Sequence, residues 1–159
     1  MKIFDMAIEL ELNGEQFYRS LAEDTNSPGL KSVFNMLADD ETKHKAVFEN
    51  MQENDHSEIK DTAILKEADS VFKELNKDDF LNEEKQLDVY KKALELEQKS
   101  ISYYGELIDL AEDERAKDAL RKVIGEEEKH SRLLEFIIEY VARPDTWVED
   151  AEFYLKENY

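Results

Sequence analysis

Apolar residues recur at intervals of three and four along most of the chain, which is the spacing that places them on one face of an α-helix. The pattern predicts a first helix over about residues 3–25 and a second from residue 28 to the polar stretch that begins at Glu53. Two further helices are predicted over about residues 84–111 and 114–141. Alternating runs typical of strands do not occur, so the chain is predicted to be all-α.

The residues between these segments carry turn signals of unequal strength. Residues 25–29 end the first helix, and Ser27 and Pro28 are placed to be the N-cap and first-turn residues of the second. Residues 111–114 contain neither Gly nor Pro, so the boundary between the last two helices is weakly marked. Pro144 ends the fourth helix and is followed by an acidic, aromatic tail that includes Trp147.

A long connection separates the two predicted hairpins. Residues 55–84 contain one amphipathic segment, from Ala63 to Leu75, which predicts a short helix within a crossover. Two short hairpins joined in this way form a four-helix bundle. We therefore predict one bundle domain over residues 1–142, and a short helical tail over residues 143–159 that packs on the bundle or on a partner subunit.

The residues that could carry chemistry in the first hairpin recur 86 positions later without a gap. They lie at inward positions of the helical stripes, where apolar residues normally pack. The repeated pairs are Glu11 and Glu97, Tyr18 and Tyr104, Glu41 and Glu127, and His44 and His130. An unpaired buried carboxylate costs roughly several kcal/mol, so four glutamates in one core require cations.

The repeated residues are also predicted to lie at the same height along the axis of the bundle. In each hairpin the two glutamates are equidistant from the predicted turn, centred on Asn26 in the first and on Glu112 in the second. Glu11 and Glu97, the first glutamates of the two hairpins, therefore each lie at the same height along the bundle as the Glu-x-x-His of the partner helix. Carboxylates with one imidazole per metal suit iron or manganese, and four glutamates balance the charge of two divalent cations. The predicted cofactor is a pair of Fe ions, with Mn as the alternative.

Several of these residues also have ordinary interpretations. A quarter of the chain is acidic, so a Glu-x-x-His by itself is weak evidence, and a third copy ends at His56 in a polar run outside the repeat register. We interpret His56 as a surface or loop residue. Tyr18 and Tyr104 are either core aromatics or hydrogen-bond donors to a bridging carboxylate. Gly14 and Ser100, one turn past the early glutamates, either leave space for an oxidant or allow close helix packing.

The amino-acid composition excludes several kinds of site and partner. The chain of 159 residues contains no cysteine, which excludes disulfides, thiolate metal sites and thiol catalysis. Its net charge of −19 opposes binding to nucleic acid, since phosphate contacts need a cationic surface. No apolar run is long enough to span a membrane, and the N-terminus lacks the apolar core of a signal peptide. The expected location is the cytoplasm, with neither nucleic acid nor membrane as a partner.

The two hairpins resemble those of the rubrerythrin and ferritin-like di-iron carboxylate proteins, and residues 144–153 resemble the segment that follows the bundle in small rubrerythrin-like proteins. The resemblance implies a ferritin-like four-helix bundle in which Glu11 and Glu97 are terminal ligands. It further implies that Glu41 and Glu127 bridge the metals, and that His44 and His130 each bind one iron. The chain differs in lacking a rubredoxin module and in having Ser100 where a further glutamate is common.

We therefore expect a non-haem di-iron oxidoreductase of rubrerythrin type that reacts with H2O2 or O2. Its catalytic residues would be Glu41 and Glu127, assisted by Tyr18 and Tyr104. Electrons would come from an external donor protein such as a rubredoxin, and the expected assembly is a homodimer. The alternatives are an iron-handling ferroxidase without a peroxide cycle, and a metal-stapled interaction module that binds its partner through the tail.

Overall fold

A computed structural model describes residues 4–53, 64–72, 74 and 83–143. It contains helices α1 (Asp5–Asp24), α2 (Pro28–Gln52), α3 (Ile64–Phe72), α4 (Leu87–Leu110) and α5 (Glu114–Ala142), with a short 3-10 turn (Glu84–Gln86) before α4. The described part of the chain contains no strand. The prediction of four long helices, with a short one in the crossover, is confirmed.

The turns of both hairpins lie where the sequence places them. Thr25 ends α1 by donating its backbone N–H to Leu21, and the Ser27 side chain caps α2 by accepting from the N–H of Leu30 at 3.2 Å. At the weakly marked turn, Asp113 caps α5 by accepting from the N–H of Arg115 at 2.9 Å. Aspartate is a strong N-cap residue, so this side chain was the turn signal that the sequence prediction overlooked.

The core consists of two apolar clusters on either side of a polar layer. Helix α1 packs along α2 and α4 along α5, whereas contacts between the two hairpins are sparser. One cluster surrounds Phe34 and Phe136, and the other surrounds Phe48 and Tyr104. Helix α3 covers the first cluster with the buried side chains of Ile64 and Ala68. The glutamates and histidines singled out from the sequence lie between the clusters, where apolar residues would otherwise continue.

A buried carboxylate fastens the end of the crossover to the first hairpin. Glu83 accepts hydrogen bonds from the hydroxyl of Thr25 at 2.5 Å, from the N–H of Asn26 at 3.2 Å and from the hydroxyl of Tyr90 at 2.7 Å. Burial, with the neighbouring Glu83, raises the pKa of Tyr90, which therefore stays protonated as a donor. These bonds fix the start of α4 against the α1–α2 turn.

Some predictions concern residues that the structure does not describe. His56, Pro144 and the tail with Trp147 lie outside the described residues, so the proposed domain boundary and the interpretation of His56 stay predictions. Among the described helices, none has the length and apolarity needed to cross a membrane.

Candidate metal centre

The four glutamates and two histidines of the repeat converge in the polar layer. They form two groups, and within each group one potential ligand atom from every residue lies within 4.8 Å of the others. The first group is Glu11, Glu41, His44 and Glu127, and the second is Glu41, Glu97, Glu127 and His130. Glu41 and Glu127 belong to both groups, as expected of residues placed between two metal ions. All six side chains are buried.

Each histidine faces its group through Nδ1. His44 Nδ1 lies 2.8 Å from Glu127 Oε1 and 3.5 Å from Glu11 Oε2. His130 Nδ1 lies 3.1 Å from Glu41 Oε1 and 3.4 Å from Glu97 Oε1. The same nitrogen of both rings thus points at the carboxylates, so the two halves of the centre are alike.

The outer nitrogens reveal two residues that the sequence prediction missed. His44 Nε2 lies 2.6 Å from Glu126 Oε2, and His130 Nε2 lies 2.9 Å from Asp40 Oδ2. Asp40 and Glu126 immediately precede the shared glutamates and are themselves related by the 86-residue register. A carboxylate on the outer nitrogen fixes the ring and leaves Nδ1 free to bind a metal. Each histidine takes this carboxylate from the opposite hairpin.

The charges in this layer favour bound protons in the absence of metal. Burial lowers the pKa of His44, but Glu11 and Glu126 outweigh this effect and raise it to about 10. Burial likewise lowers the pKa of His130, while Glu97 and Asp40 raise it to about 9. Burial, together with the neighbouring carboxylates, raises the pKa of Glu41 well above its ordinary value. The acidic cluster is therefore held together by protonated groups.

The donor set fits a pair of metal ions. Oε2 of Glu11 and Oε2 of Glu97 are buried and accept no hydrogen bond within the described part of the chain. A buried carboxylate oxygen without a donor is costly, and a cation at that position would compensate it. Both oxygens belong to the residues that the repeat places at the two ends of the cluster. Oxygen and imidazole ligands without thiolate suit iron and manganese.

The tyrosines donate to different carboxylates from those expected. The hydroxyl of Tyr18 donates to Glu97 Oε1, and that of Tyr104 donates to Glu11 Oε1 at 2.7 Å. Each tyrosine reaches across to the glutamate of the opposite hairpin that belongs to one group only, and neither donates to Glu41 or Glu127. Burial, reinforced by the nearby glutamates, raises the pKa of both hydroxyls. Both therefore remain donors that orient Glu11 and Glu97.

Comparison with known proteins identifies the family of this chain. A family model described as rubrerythrin matches residues 2–138. The chain belongs to the rubrerythrin family. No curated protein and no solved structure matches it significantly. The match covers the first hairpin, the second up to residue 138 and every residue of the centre, and it confirms the resemblance drawn from the repeated motifs. Rubrerythrins typically bind two irons, and the donor set described above fits such a pair.

A cavity adjoins this rubrerythrin-family centre. It has a volume of about 150 Å³ and reaches the shared residues Glu41 and Glu127. Gly14 and Ser100 both line it, and a Cβ atom at residue 14 would lie 3.1 Å from Glu41 Oε2. That contact is tighter than ordinary packing, so Gly14 allows the Glu41 side chain to approach α1 closely. Whether the space beside it admits an oxidant stays a prediction.

The protonated state of the metal-free centre gives a testable pH dependence. A metal-bound imidazole must be neutral at the ligating nitrogen, whereas His44 and His130 have pKa values of about 10 and about 9 without metal. Binding two divalent ions at pH 7 should therefore release about two protons or more. Metal affinity should rise with pH from 7 to 10, and proton release should fall above pH 10.

Calorimetric titration of the metal-free protein with Zn²⁺, in buffers of different ionisation enthalpy, measures this release. A binding enthalpy that does not depend on the buffer would contradict the arrangement of protonated histidines.

Proposed function

We propose that this rubrerythrin-family protein is a non-haem di-iron oxidoreductase that reduces H2O2 or reacts with O2. Glu11 and Glu97 would be the end ligands, and His44 and His130 would each bind one iron. Glu41 and Glu127 would serve both ions. The observation that carries the proposal is the pair of four-residue groups that share these two glutamates inside an apolar core.

The number of carboxylates supports a centre that cycles between oxidation states. The four glutamates of the two groups balance two ferrous ions. Asp40 and Glu126 add two further carboxylates on the outer nitrogens of the histidines. The six negative charges together balance two ferric ions, so the outer pair would stabilise the oxidised state.

The protein residues have separable roles in this proposal. When bound, the iron pair supplies two electrons, one from each ferrous ion. Glu41 and Glu127 would hold the ions adjacent, while Tyr18 and Tyr104 keep the end glutamates in place. The apolar clusters on either side would keep water away from the centre except through the adjoining cavity. We propose that electrons return from a donor outside these 159 residues, such as a rubredoxin, since they contain no cysteine to hold a thiolate-bound iron.

The test is oxidation of the anaerobic diferrous protein in a rapid-mixing spectrometer. One equivalent of H2O2 per iron pair should complete the oxidation, because two ferrous ions supply the two electrons that one peroxide accepts. Peroxide should also react faster than O2 if the protein keeps the preference typical of rubrerythrins. A ferrous pair that H2O2 leaves unoxidised would overturn the proposal.

A second candidate function is ferroxidase-type iron handling. It is favoured by Ser100, which stands where a further glutamate is common in the family, so that each of the two groups consists of three glutamates and one histidine. Comparable slow rates with both oxidants, together with continued turnover of added Fe²⁺, would support this function. In that case, a Ser100→Glu variant that gained selectivity for peroxide would identify this position as the cause.

A further inference from the structure

The cavity beside the centre lies between α1 and α4. Its lining includes four pairs of residues related by the 86-residue register, so it follows the internal two-fold relation of the repeat. The pairs are Leu10 and Leu96, Asn13 and Lys99, Gly14 and Ser100, and Glu41 and Glu127. The cavity therefore approaches both predicted metal positions from the same side.

The cavity is larger than H2O2 or O2 requires. A water molecule takes about 30 Å³ of liquid volume, and a molecule of H2O2 has only one more oxygen atom. The volume here is about 150 Å³. Engineered cavities of about that size, lined by aliphatic and aromatic side chains, bind benzene. The space thus corresponds to an organic body of about six carbon atoms.

The lining is apolar on its walls and polar at its ends. The walls are formed by Leu10, Phe17, Ala93 and Leu96, and the inner end by the carboxylates of the centre. Asn13 and Lys99, both exposed, lie at the opposite end. Such a lining suits a molecule with an apolar body and one small polar group directed inwards, towards the metal pair that these carboxylates would hold.

We propose that the substrate class of this centre is an organic hydroperoxide, ROOH, whose R group occupies the cavity between α1 and α4. The inference rests on the proposed di-iron function and names its substrate. The O–O bond would break with two electrons from the ferrous pair and two protons from solvent. The products would be an alcohol, ROH, and water, with one electron supplied by each of the two ferrous ions that the residues of the centre would hold.

Two residues offer contrasting ways to change the cavity. A side chain at residue 14 would press on Glu41, so a variant there would confound cavity size with ligand position. Ser100 is half-buried on the opposite wall, and Ser100→Leu would fill the space without that contact. Ser102, exposed on the same helix and absent from the cavity lining, provides the matched control Ser102→Leu.

The first test is binding without redox chemistry. Benzyl alcohol, a stable analogue of the ROH product, should bind saturably to the zinc-loaded protein and shift NMR signals of Leu10, Phe17 and Ala93. Ser100→Leu should weaken this binding by about tenfold or more, as expected when added methylene groups obstruct an apolar pocket. Ser102→Leu should bind as the parent does. Non-saturable shifts, or shifts confined to other surfaces, would overturn the proposal.

The second test separates this inference from the proposed function. The anaerobic diferrous protein is mixed with tert-butyl hydroperoxide or with H2O2, and the rate of oxidation by each is measured. Ser100→Leu should lower the rate with tert-butyl hydroperoxide, relative to the rate with H2O2, by about tenfold. Oxidation by H2O2 without oxidation by tert-butyl hydroperoxide would defeat only the substrate class. Oxidation by neither would defeat the di-iron function itself. If Ser100→Leu does not fold, Leu96→Phe fills the same space from the apolar wall.

Discussion

Glu41→Gln is expected to give a folded protein that has lost tight binding of both metal ions. Glu41 belongs to both ligand groups, so its carboxylate would serve both ions. Loss of an outer partner of a ligand costs about 10–100-fold in metal affinity, and loss of a shared ligand should cost more for each ion. Metal analysis after anaerobic loading with Fe²⁺ and gel filtration measures the loss.

The same substitution should not destabilise the metal-free fold. Burial and the neighbouring Glu11 and Glu97 raise the pKa of Glu41, which means that its ionised form is disfavoured in the folded protein. That unfavourable contribution grows as the pH rises through the pKa, and glutamine removes it at similar volume. The melting temperature of the metal-free variant should equal or exceed that of the parent. Addition of Fe²⁺ should raise the melting temperature of the parent only.

Glu49→Gln is the matched control for this experiment. Glu49 lies on the same helix, is exposed, and pairs only with Lys45 among the described residues. Its variant should retain two ions per chain. Full metal content in Glu41→Gln would mean that this carboxylate is not shared between the ions.

His44→Ala and His130→Ala are each expected to reduce metal content to about one ion per chain. Each imidazole belongs to one group only, and neutral nitrogen is the only non-carboxylate ligand in that group. The two variants should resemble each other, because Nδ1 of both rings faces its carboxylates in the same way. The double variant should bind neither ion tightly. Metal analysis together with anaerobic Fe²⁺ titration distinguishes the three cases.

His56→Ala provides the comparison for the histidine variants. It ends the third Glu-x-x-His of the sequence but lies outside the repeat register. Its loss should leave two ions per chain. Loss of iron in this variant, with retention in His44→Ala, would show that the repeat had identified the wrong histidines.

The fold and the grouping of the six residues followed from the sequence because two periodicities agree. Helical spacing placed Glu41 and His44 on an inward stripe, and the 86-residue repeat placed Glu127 and His130 on another. Equal distance from the turns then set their heights, which the short connections around Asn26 and Glu112 bear out. Only their role as ligands stays a prediction.

The remaining contacts depend on how the hairpins dock, for which the sequence holds little signal. Asp40 and Glu126 are related by the 86-residue register, but they are only two of 40 acidic residues. Nothing in the sequence distinguishes them from acidic residues on the surface. The crossed bonds of Tyr18 and Tyr104 require knowledge of which helices face each other. Glu83 belongs to the crossover, which has no counterpart in the repeat and hence no internal check.

The contacts that each histidine makes with the opposite hairpin affect which substitutions the two halves of the chain can accept. His130 on α5 contacts the carboxylate of Asp40 on α2, and His44 on α2 contacts the carboxylate of Glu126 on α5. A substitution at residue 40 would therefore remove a contact of the imidazole in the other half. The same imidazole also lies 3.1 Å from Glu41, so residues 40 and 41 of one half both act on a single side chain of the other. Although the halves look like duplicates, neither hairpin would keep its histidine oriented without the other.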